Sequence, residues 1–586
     1  MEFLKQLIAT VTGVFVALFL LFLFGLFILG SMVQQSSKTK ETAANSVLYI
    51  DLAHVITEQT EPNPFGDLDL PGVEKSIGLN DILARIAAAK EDKNIKGIYL
   101  NPSAVNVGFA TLKAVRDALV DFKTSEKFIV AYSDVYSQRG YYLSSVADNI
   151  YANPQGRLDF RGLSTSVIFL KDALDKLGVD MQVIKVGTYK SAVEPYMLNE
   201  MSPANREQVT SYLNSIYASF LNDISEGRGI PTDSLRHIAN EFLLRDVNDA
   251  VNHKFVDKAM YKDEFIEELK LMAGIAEDKD IPVVSIFDYK KSPERKQSKD
   301  KIAILYAYGN IVDGEGGASS TTDIGGDRIS RELRKLRKDD KVKAVVLRVN
   351  SPGGSALASE IIWREVELTK KVKPIMVSMG DLAASGGYYI SAAADSIFAE
   401  KTTLTGSIGV FGVIPNYQGL LNEKLGVHID EVNTGKYAAL GGDPDRPLTA
   451  EETAIIQTEV NKIYQVFMER VANGRNLTVA QVDSIGQGRV WTGEQAVALG
   501  LVDRIGNLQT AVHAAASKAE LKDYELVEYP KQKSPFEDLF ATSKQKVKTW
   551  MLKDEVGEYH KYLMDIKQVL YNTGIQARIP YTVEIY

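Results

Sequence analysis

The 586-residue chain contains no cysteine, which excludes disulfides, thiolate metal sites and a cysteine nucleophile, and leaves an oxidising compartment permitted. Histidine is scarce. Its six copies (His54, His237, His253, His428, His513, His560) are scattered, and none forms the His-x-x-x-His pair of a zinc hydrolase. No Gly-x-x-x-x-Gly-Lys-Ser/Thr segment occurs, which argues against a P-loop nucleotide site. An excess of positive charge is missing too: 67 Lys and Arg against 76 Asp and Glu give a net charge of −9, with no basic field for nucleic acid. Neither a cofactor nor a metal is expected.

Charge is also absent locally. Between Lys5 and Lys38 there is no charged residue, and Val14 to Leu29 is almost wholly apolar. A helix needs about 20 such residues to cross a bilayer. A secretory signal peptide is the rival, but its apolar region runs to about 7–15 residues and ends in a small-x-small cleavage site. This run is longer, and Ser31-Met32-Val33-Gln34-Gln35 offers no clean site. A single uncleaved anchor over residues 7–33 is therefore expected, with a cytoplasmic tail at 1–6 and a polar linker at 34–46. The short tail favours an inside amino terminus. The rest of the chain then lies beyond the cytoplasm.

From Ser46 the pattern alternates. Val47–Ile50, Ile95–Leu100 and Phe128–Tyr132 read as strands and Ile82–Ala89 as a helix, which predicts an α/β fold with mostly parallel strands. A charged stretch at 290–301 interrupts it, and Ile302–Tyr306 starts the same series again. The second series repeats the first in register. Gly140-Tyr141-Tyr142 returns as Gly387-Tyr388-Tyr389 at an offset of 247, and Lys176-Leu177-Gly178-Val179 as Lys424-Leu425-Gly426-Val427 at 248. Gly227-Arg228 returns as Gly474-Arg475 at 247, and Val256-Asp257 as Val502-Asp503 at 246. Two copies of one α/β unit, 47–289 and 302–530, are expected, followed by an extension at 531–586.

Met379 to Tyr389 contains Ser385, placed after the predicted strand Lys373–Ser378 and before a helical run, Tyr388–Ala394. Such a serine has an exposed hydroxyl facing the positive end of a helix dipole. It departs from the Gly-x-Ser-x-Gly elbow because Ala383 holds the first glycine position, and the stretch alone fits a small-residue turn equally well. The sister unit decides between the two. There Gln138 stands at the position of Ser385, and Arg139 at that of Gly386. The second unit carries Asn350-Ser351-Pro352-Gly353-Gly354-Ser355 where the first has Asn101-Pro102-Ser103-Ala104, without a glycine pair. The reverse holds for Gly187-Thr188-Tyr189-Lys190-Ser191, whose counterpart Gly435-Lys436-Tyr437-Ala438-Ala439 has Ala438 in place of Lys190. A serine kept by one copy and a lysine kept by the other are expected of a single site built from both. A lysine can serve as general base once burial lowers its pKa from about 10.4 toward roughly 7–8. Gly353, Gly354 and the Gly386 amide are candidate oxyanion donors. Ser407 could hold the lysine amine in line, although a plain loop serine fits its sequence as well.

The apolar anchor, the tandem unit and these motifs, together with Gly488-Arg489-Val490-Trp491-Thr492-Gly493, resemble the long form of signal peptide peptidase A (protease IV) over about Val47 to Glu520. The resemblance implies a ClpP/crotonase-type fold in each half and a Ser/Lys dyad. By matching motif, Ser385 would be the nucleophile, Lys190 the general base and Ser407 the residue orienting the lysine, with oxyanion positions at Gly353 and Gly386. It further implies digestion of signal peptides left in the membrane after secretion, by a homotetramer on the periplasmic side of the bacterial inner membrane. A crotonase-like acyl-CoA enzyme and a non-catalytic membrane scaffold are the alternatives. For the extension, amphipathic helices are expected at Phe536–Val547 and Val556–Leu570. Its β-prone terminus, Tyr581–Tyr586, suggests docking on a neighbouring subunit.

Overall fold

The computed structural model describes residues 42–60, 76–289, 298–316, 323–441, 445–531, 574–578 and 585, with parts of a helix within residues 2–20. The span expected at 7–33 falls largely outside them, as do the helices expected at Phe536–Val547 and Val556–Leu570. Among the described residues no helix is long and apolar enough to cross a membrane.

The core is two parallel sheets. In the first, strands run in the order Lys258–Ala259, Asn149–Leu158, Phe128–Tyr136, Ile95–Asn101, Ser46–Asp51, Val283–Ser285, all neighbours parallel. In the second, Arg504–Ile505, Ser396–Ala399, Ile375–Ala384, Val342–Ser351, Lys301–Tyr308 and Glu525–Tyr529 follow in the equivalent order, these six all parallel. A branch off Ile375–Ala384 adds Leu404–Gly406, parallel to it, and Val490–Thr492, antiparallel to Leu404–Gly406. Strands covered on both faces read as unbroken apolar runs, and Ala344-Val345-Val346-Leu347 is wholly buried. The flanking helices are one-sided. Gly326–Lys338 buries Ile329, Leu333 and Leu336 at helical spacing while its arginines and lysines lie on other faces.

The residues repeated between the units do structural work. Tyr141 donates its hydroxyl to the Phe255 carbonyl at 3.1 Å, and Tyr388 to that of Leu501 at 2.8 Å. Arg228 pairs with Asp257 at 2.9 Å and Arg475 with Asp503 at 2.5 Å. The same two aspartates each accept a strand N–H at 2.7 Å, from Ile150 and Ile397 respectively. Gly227 lies against the Ser145 carbonyl and Gly474 against that of Ala392, so close that a Cβ at either would collide with backbone.

A third sheet joins the units. Asp180–Val186 of the first pairs antiparallel along its full length with Val410–Asn416 of the second. The strand Gly574–Arg578 sits between Val410–Asn416 and Gly353–Ser355, antiparallel to both. Beyond Gly353–Ser355 the sheet continues with Asn310–Val312 and Asp323–Gly325. Buried polar contacts add to the seam. Arg348 and Asn350 both hold Glu58 of the first unit, at 2.9 and 2.7 Å, and Asp381 accepts from the Thr111 amide at 2.9 Å and its hydroxyl at 2.5 Å.

Two expectations are revised. The strand before Ser385 runs on to Ala384, because its end gains a parallel neighbour in Leu404–Gly406. The helix after it is Gly386–Ser391, beginning and ending earlier than the sequence suggested. The described part of the extension packs on its own chain, and the terminus Tyr581–Tyr586 lies, apart from Ile585, outside the described residues. Gly574–Arg578 satisfies two strand edges there, and Ile585 joins the first unit's core.

Gly474→Ala is expected to destabilise the chain by about 1–3 kcal/mol, the usual range for overpacking. Chemical denaturation monitored by circular dichroism checks it; an unchanged midpoint would contradict the close approach to Ala392.

Candidate active site

Ser385 and Ser407 sit just beyond the ends of two adjacent parallel strands, Ile375–Ala384 and Leu404–Gly406. The carboxyl edge of a parallel sheet is where open α/β folds gather their functional groups. At Ser385 the chain turns sharply from strand to helix with φ 54° and ψ −114°. A positive φ is uncommon for a residue with a Cβ and marks stored strain. The turn therefore has the strained geometry of a nucleophile elbow although the glycine of that motif is missing. It is pinned by the Ser385 amide donating to the Gly406 carbonyl at 2.8 Å. Ser407 also has a positive φ, 51°, and its amide donates to the Arg489 carbonyl at 2.7 Å.

Lys190 reaches this edge from the other unit. It follows the strand Asp180–Val186, whose pairing with Val410–Asn416 delivers the loop to the second unit. Its side chain is fully buried, and its Nζ lies 2.8 Å from Ser385 Oγ, 3.1 Å from Ser407 Oγ and 3.2 Å from the Ser407 carbonyl. The carbonyl must accept; either hydroxyl can donate or accept. Three neighbours match the two N–H bonds and one lone pair of a neutral amine, which leaves the lone pair for the Ser385 hydroxyl. Burial holds the Lys190 pKa well below its ordinary value. No carboxylate among the described residues opposes that shift. Phe411 closes one side, its ring centre 5.8 Å from Nζ.

Glycines shape the socket. Gly488, at φ 78°, passes so close that a Cβ there would stand 2.6 Å from both N and Cβ of Lys190; one on Gly409 would stand 3.2 Å from its Cδ. The Tyr189 amide donates to the Gln487 carbonyl at 2.8 Å, and Gly488 to that of Ile408 at 2.7 Å. Gln208 of the first unit donates to the Tyr189 carbonyl and the Ser191 hydroxyl, each at 3.0 Å, and accepts from the Val490 amide at 3.1 Å. Nothing local in the Gly488-Arg489 motif marks this role. The internal comparison held the signal, since Phe242 occupies the matching position of the first unit.

The expected oxyanion glycines are neighbours in part. Gly353 (φ 100°) abuts Gly386, whose amide opens a helix and so has no intrahelical acceptor. The Gly353 amide donates to Ser351 Oγ at 3.1 Å, and Gly354 is pressed against the Ile311 carbonyl of the next strand. Ser385 differs from expectation in one respect: its side chain is buried, not exposed. At the matching place in the first unit, Gln138 uses its amide to hold residues 161 and 162, accepting from both amides and donating to the Gly162 carbonyl at 3.0 Å. The matching lysine loop of the second unit, around Ala438, lies in solvent.

Together the fold and its matches define a serine peptidase. The profile described as peptidase family S49 matches residues 94–276 and 367–522, and the chain belongs to that family. It is 39% identical over 456 residues to a protein named Protease 4 from Haemophilus influenzae, covering 76% of this chain and 73% of that one. To Protease 4 of Salmonella typhi it is 37% identical over 512 residues, 84% and 82% of the two chains. To the chloroplastic serine protease SPPA of Arabidopsis thaliana it is 33% identical over 508 residues, 85% and 73%.

Gly488→Ala is expected to displace the lysine and lower kcat by about 10²-fold, the effect of an ångström-scale misplacement of a reacting group. Steady-state peptide hydrolysis checks it, and wild-type kcat in the variant would deny the socket its role.

Proposed function

We propose that the chain is a membrane-anchored endopeptidase in which Ser385 is the nucleophile and Lys190 its general base. One observation carries the reading: a desolvated lysine amine, with no carboxylate acting on it among the described residues, 2.8 Å from the hydroxyl of a strained serine. Ser385 Oγ attacks the peptide carbonyl carbon as its proton passes to Lys190 Nζ. The carbonyl oxygen gains charge beside the backbone of Gly353, Gly354 and Gly386, where the Gly386 amide is the best-placed donor. Collapse breaks the C–N bond, and Lys190 returns the proton to the leaving amine. A water then attacks the acyl-enzyme, giving its proton to Lys190, and the released Ser385 recovers it. Ser407 positions the amine throughout, with its carbonyl and hydroxyl fixing two of the three directions around Nζ.

In this reading the two units, 47–289 and 302–530, are tandem ClpP/crotonase-type domains, supported by their equal strand order. The uncharged run between Lys5 and Lys38 anchors the chain with its catalytic part on the periplasmic side of an inner membrane. An anchor keeps the site beside membrane-embedded peptides, which suits removal of cleaved signal peptides by a homotetramer. A crotonase-like acyl-CoA enzyme would use carboxylates, and none acts on Lys190 among the described residues.

A fluorophosphonate probe is expected to label Ser385, and labelling should be lost in Ser385→Ala and in Lys190→Ala. Peptide hydrolysis should fall by about 10⁴-fold or more in either variant, as for residues that act as one unit. Labelling elsewhere, or full activity in Lys190→Ala, would refute the dyad. Because burial lowers the Lys190 pKa, the unfolded chain binds a proton that the folded chain does not, from that lowered pKa up to the free lysine value of about 10.4. The lysine's contribution to stability therefore rises with pH across this window. Lys190→Met should melt higher than wild type near pH 7, with the gap closing toward pH 10, as read by thermal denaturation.

A further inference from the structure

The strand Gly574–Arg578 is inserted where the third sheet would otherwise be split in two. Gly353–Ser355 lies on one side and Val410–Asn416 on the other, with pairs Gly353–Arg578, Gly354–Ala577 and Ser355–Gln576 on the first and Phe411–Gln576, Gly412–Ile575 and Val413–Gly574 on the second. Strands in a sheet lie about 4.7–4.9 Å apart. Without the insert, two strand edges would face each other across a slot one strand wide, the geometry by which an extended peptide is captured through its main chain.

The register places Ala577 at the reacting centre. Its carbonyl oxygen contacts the Gly353 backbone, where a Cβ would collide with it, and a Cβ on Gly386 would stand 3.0 Å from it. These are the glycines of the candidate oxyanion pocket, next to Ser385. Ala577 itself is 1% exposed, so a much larger side chain there must push its surroundings aside. Ile575 packs against the second unit's core, and Arg578 is half-buried within electrostatic reach of Tyr196. A second contact holds the same region of chain. Arg139, which replaces Gly386 in the first unit, donates to the carbonyl of the buried Ile585.

We propose that Gly574–Arg578 is an intramolecular pseudosubstrate: it occupies the peptide groove as a substrate would, with Ala577 on the acyl side and the Ala577–Arg578 bond presented to Ser385. The proposal rests on the Ser385–Lys190 reading. It deepens that reading in two ways: the peptide bound in the slot is an extended strand with a small residue before the scissile bond, and the resting chain competes with external peptides for its own site.

The test compares the full chain with one lacking residues 574–586 and with the full-length Ala577→Trp variant, whose side chain exceeds the space that Ala577 fills. Fluorophosphonate labelling of Ser385 and hydrolysis of an extended peptide with alanine before the cleaved bond are followed in each. Both variants should react about tenfold faster than the full chain, and a synthetic peptide spanning 570–582 should slow the truncated chain competitively. Equal rates in all three overturn the pseudosubstrate while leaving the dyad standing; no labelling of any overturns the dyad and the proposal with it. Hydrogen exchange on the unaltered chain guards against misfolded variants. Amides of 574–578 should exchange faster once a peptidyl inhibitor is bound at Ser385, and unchanged exchange overturns the proposal.

Discussion

An ammonium group surrendered by water must either find a counter-charge or give up its proton, and among the described residues around Lys190 there is no counter-charge. Ser407 offers a carbonyl and a hydroxyl, Phe411 a ring face, and Gly488 and Gly409 a channel just wide enough for the stem. None of these groups stabilises a full positive charge as a carboxylate would. On the proposed reading the lysine serves as the base, and the other features of the site are arranged around that enclosure. The strand Asp180–Val186 brings the residue across, the turn at Gln487–Gly488 closes over it, and Glu58, Arg348 and Asp381 keep the two units from sliding apart.

Strain and openness are concentrated at the same edge. Ser385 and Ser407 both hold positive φ, and Gly353 and Gly354 bring their backbone within contact distance of neighbouring carbonyls. The flanking sheets are regular by comparison, with wholly buried runs such as Ala344–Leu347. The rigid cores offset the local strain, which is the usual division between scaffold and site.

Much of this was legible in the chain itself. Long apolar strands such as Ile95–Asn101 announce themselves because both faces are covered. The duplication made each unit a control for the other, and that control isolated Ser385 against Gln138 and Lys190 against Ala438. What escaped was whatever depends on distant partners. Nothing local in Gly-Ile-Gln-Ala-Arg marks residues 574–578 as the strand that fills a gap more than 150 residues away in sequence from Val410–Asn416. The burial of Ser385 was missed because a strand end followed by a helix start says nothing about a third element laid beside it. Gly488 was visible only as a motif, since its purpose is the space it leaves for a side chain of the other unit.

The split between units has a bearing on when the chain becomes active. Lys190 alone, in a first unit without its partner, is an ordinary hydrated lysine that carries its proton at physiological pH. The groups that strip its water arrive with residues 404–411 and 487–490, some two hundred to three hundred residues later in synthesis. On the proposed reading a nascent or half-folded chain therefore carries no working nucleophile. The duplicated architecture acts as its own safety catch, arming only when the last-made half has closed on the first.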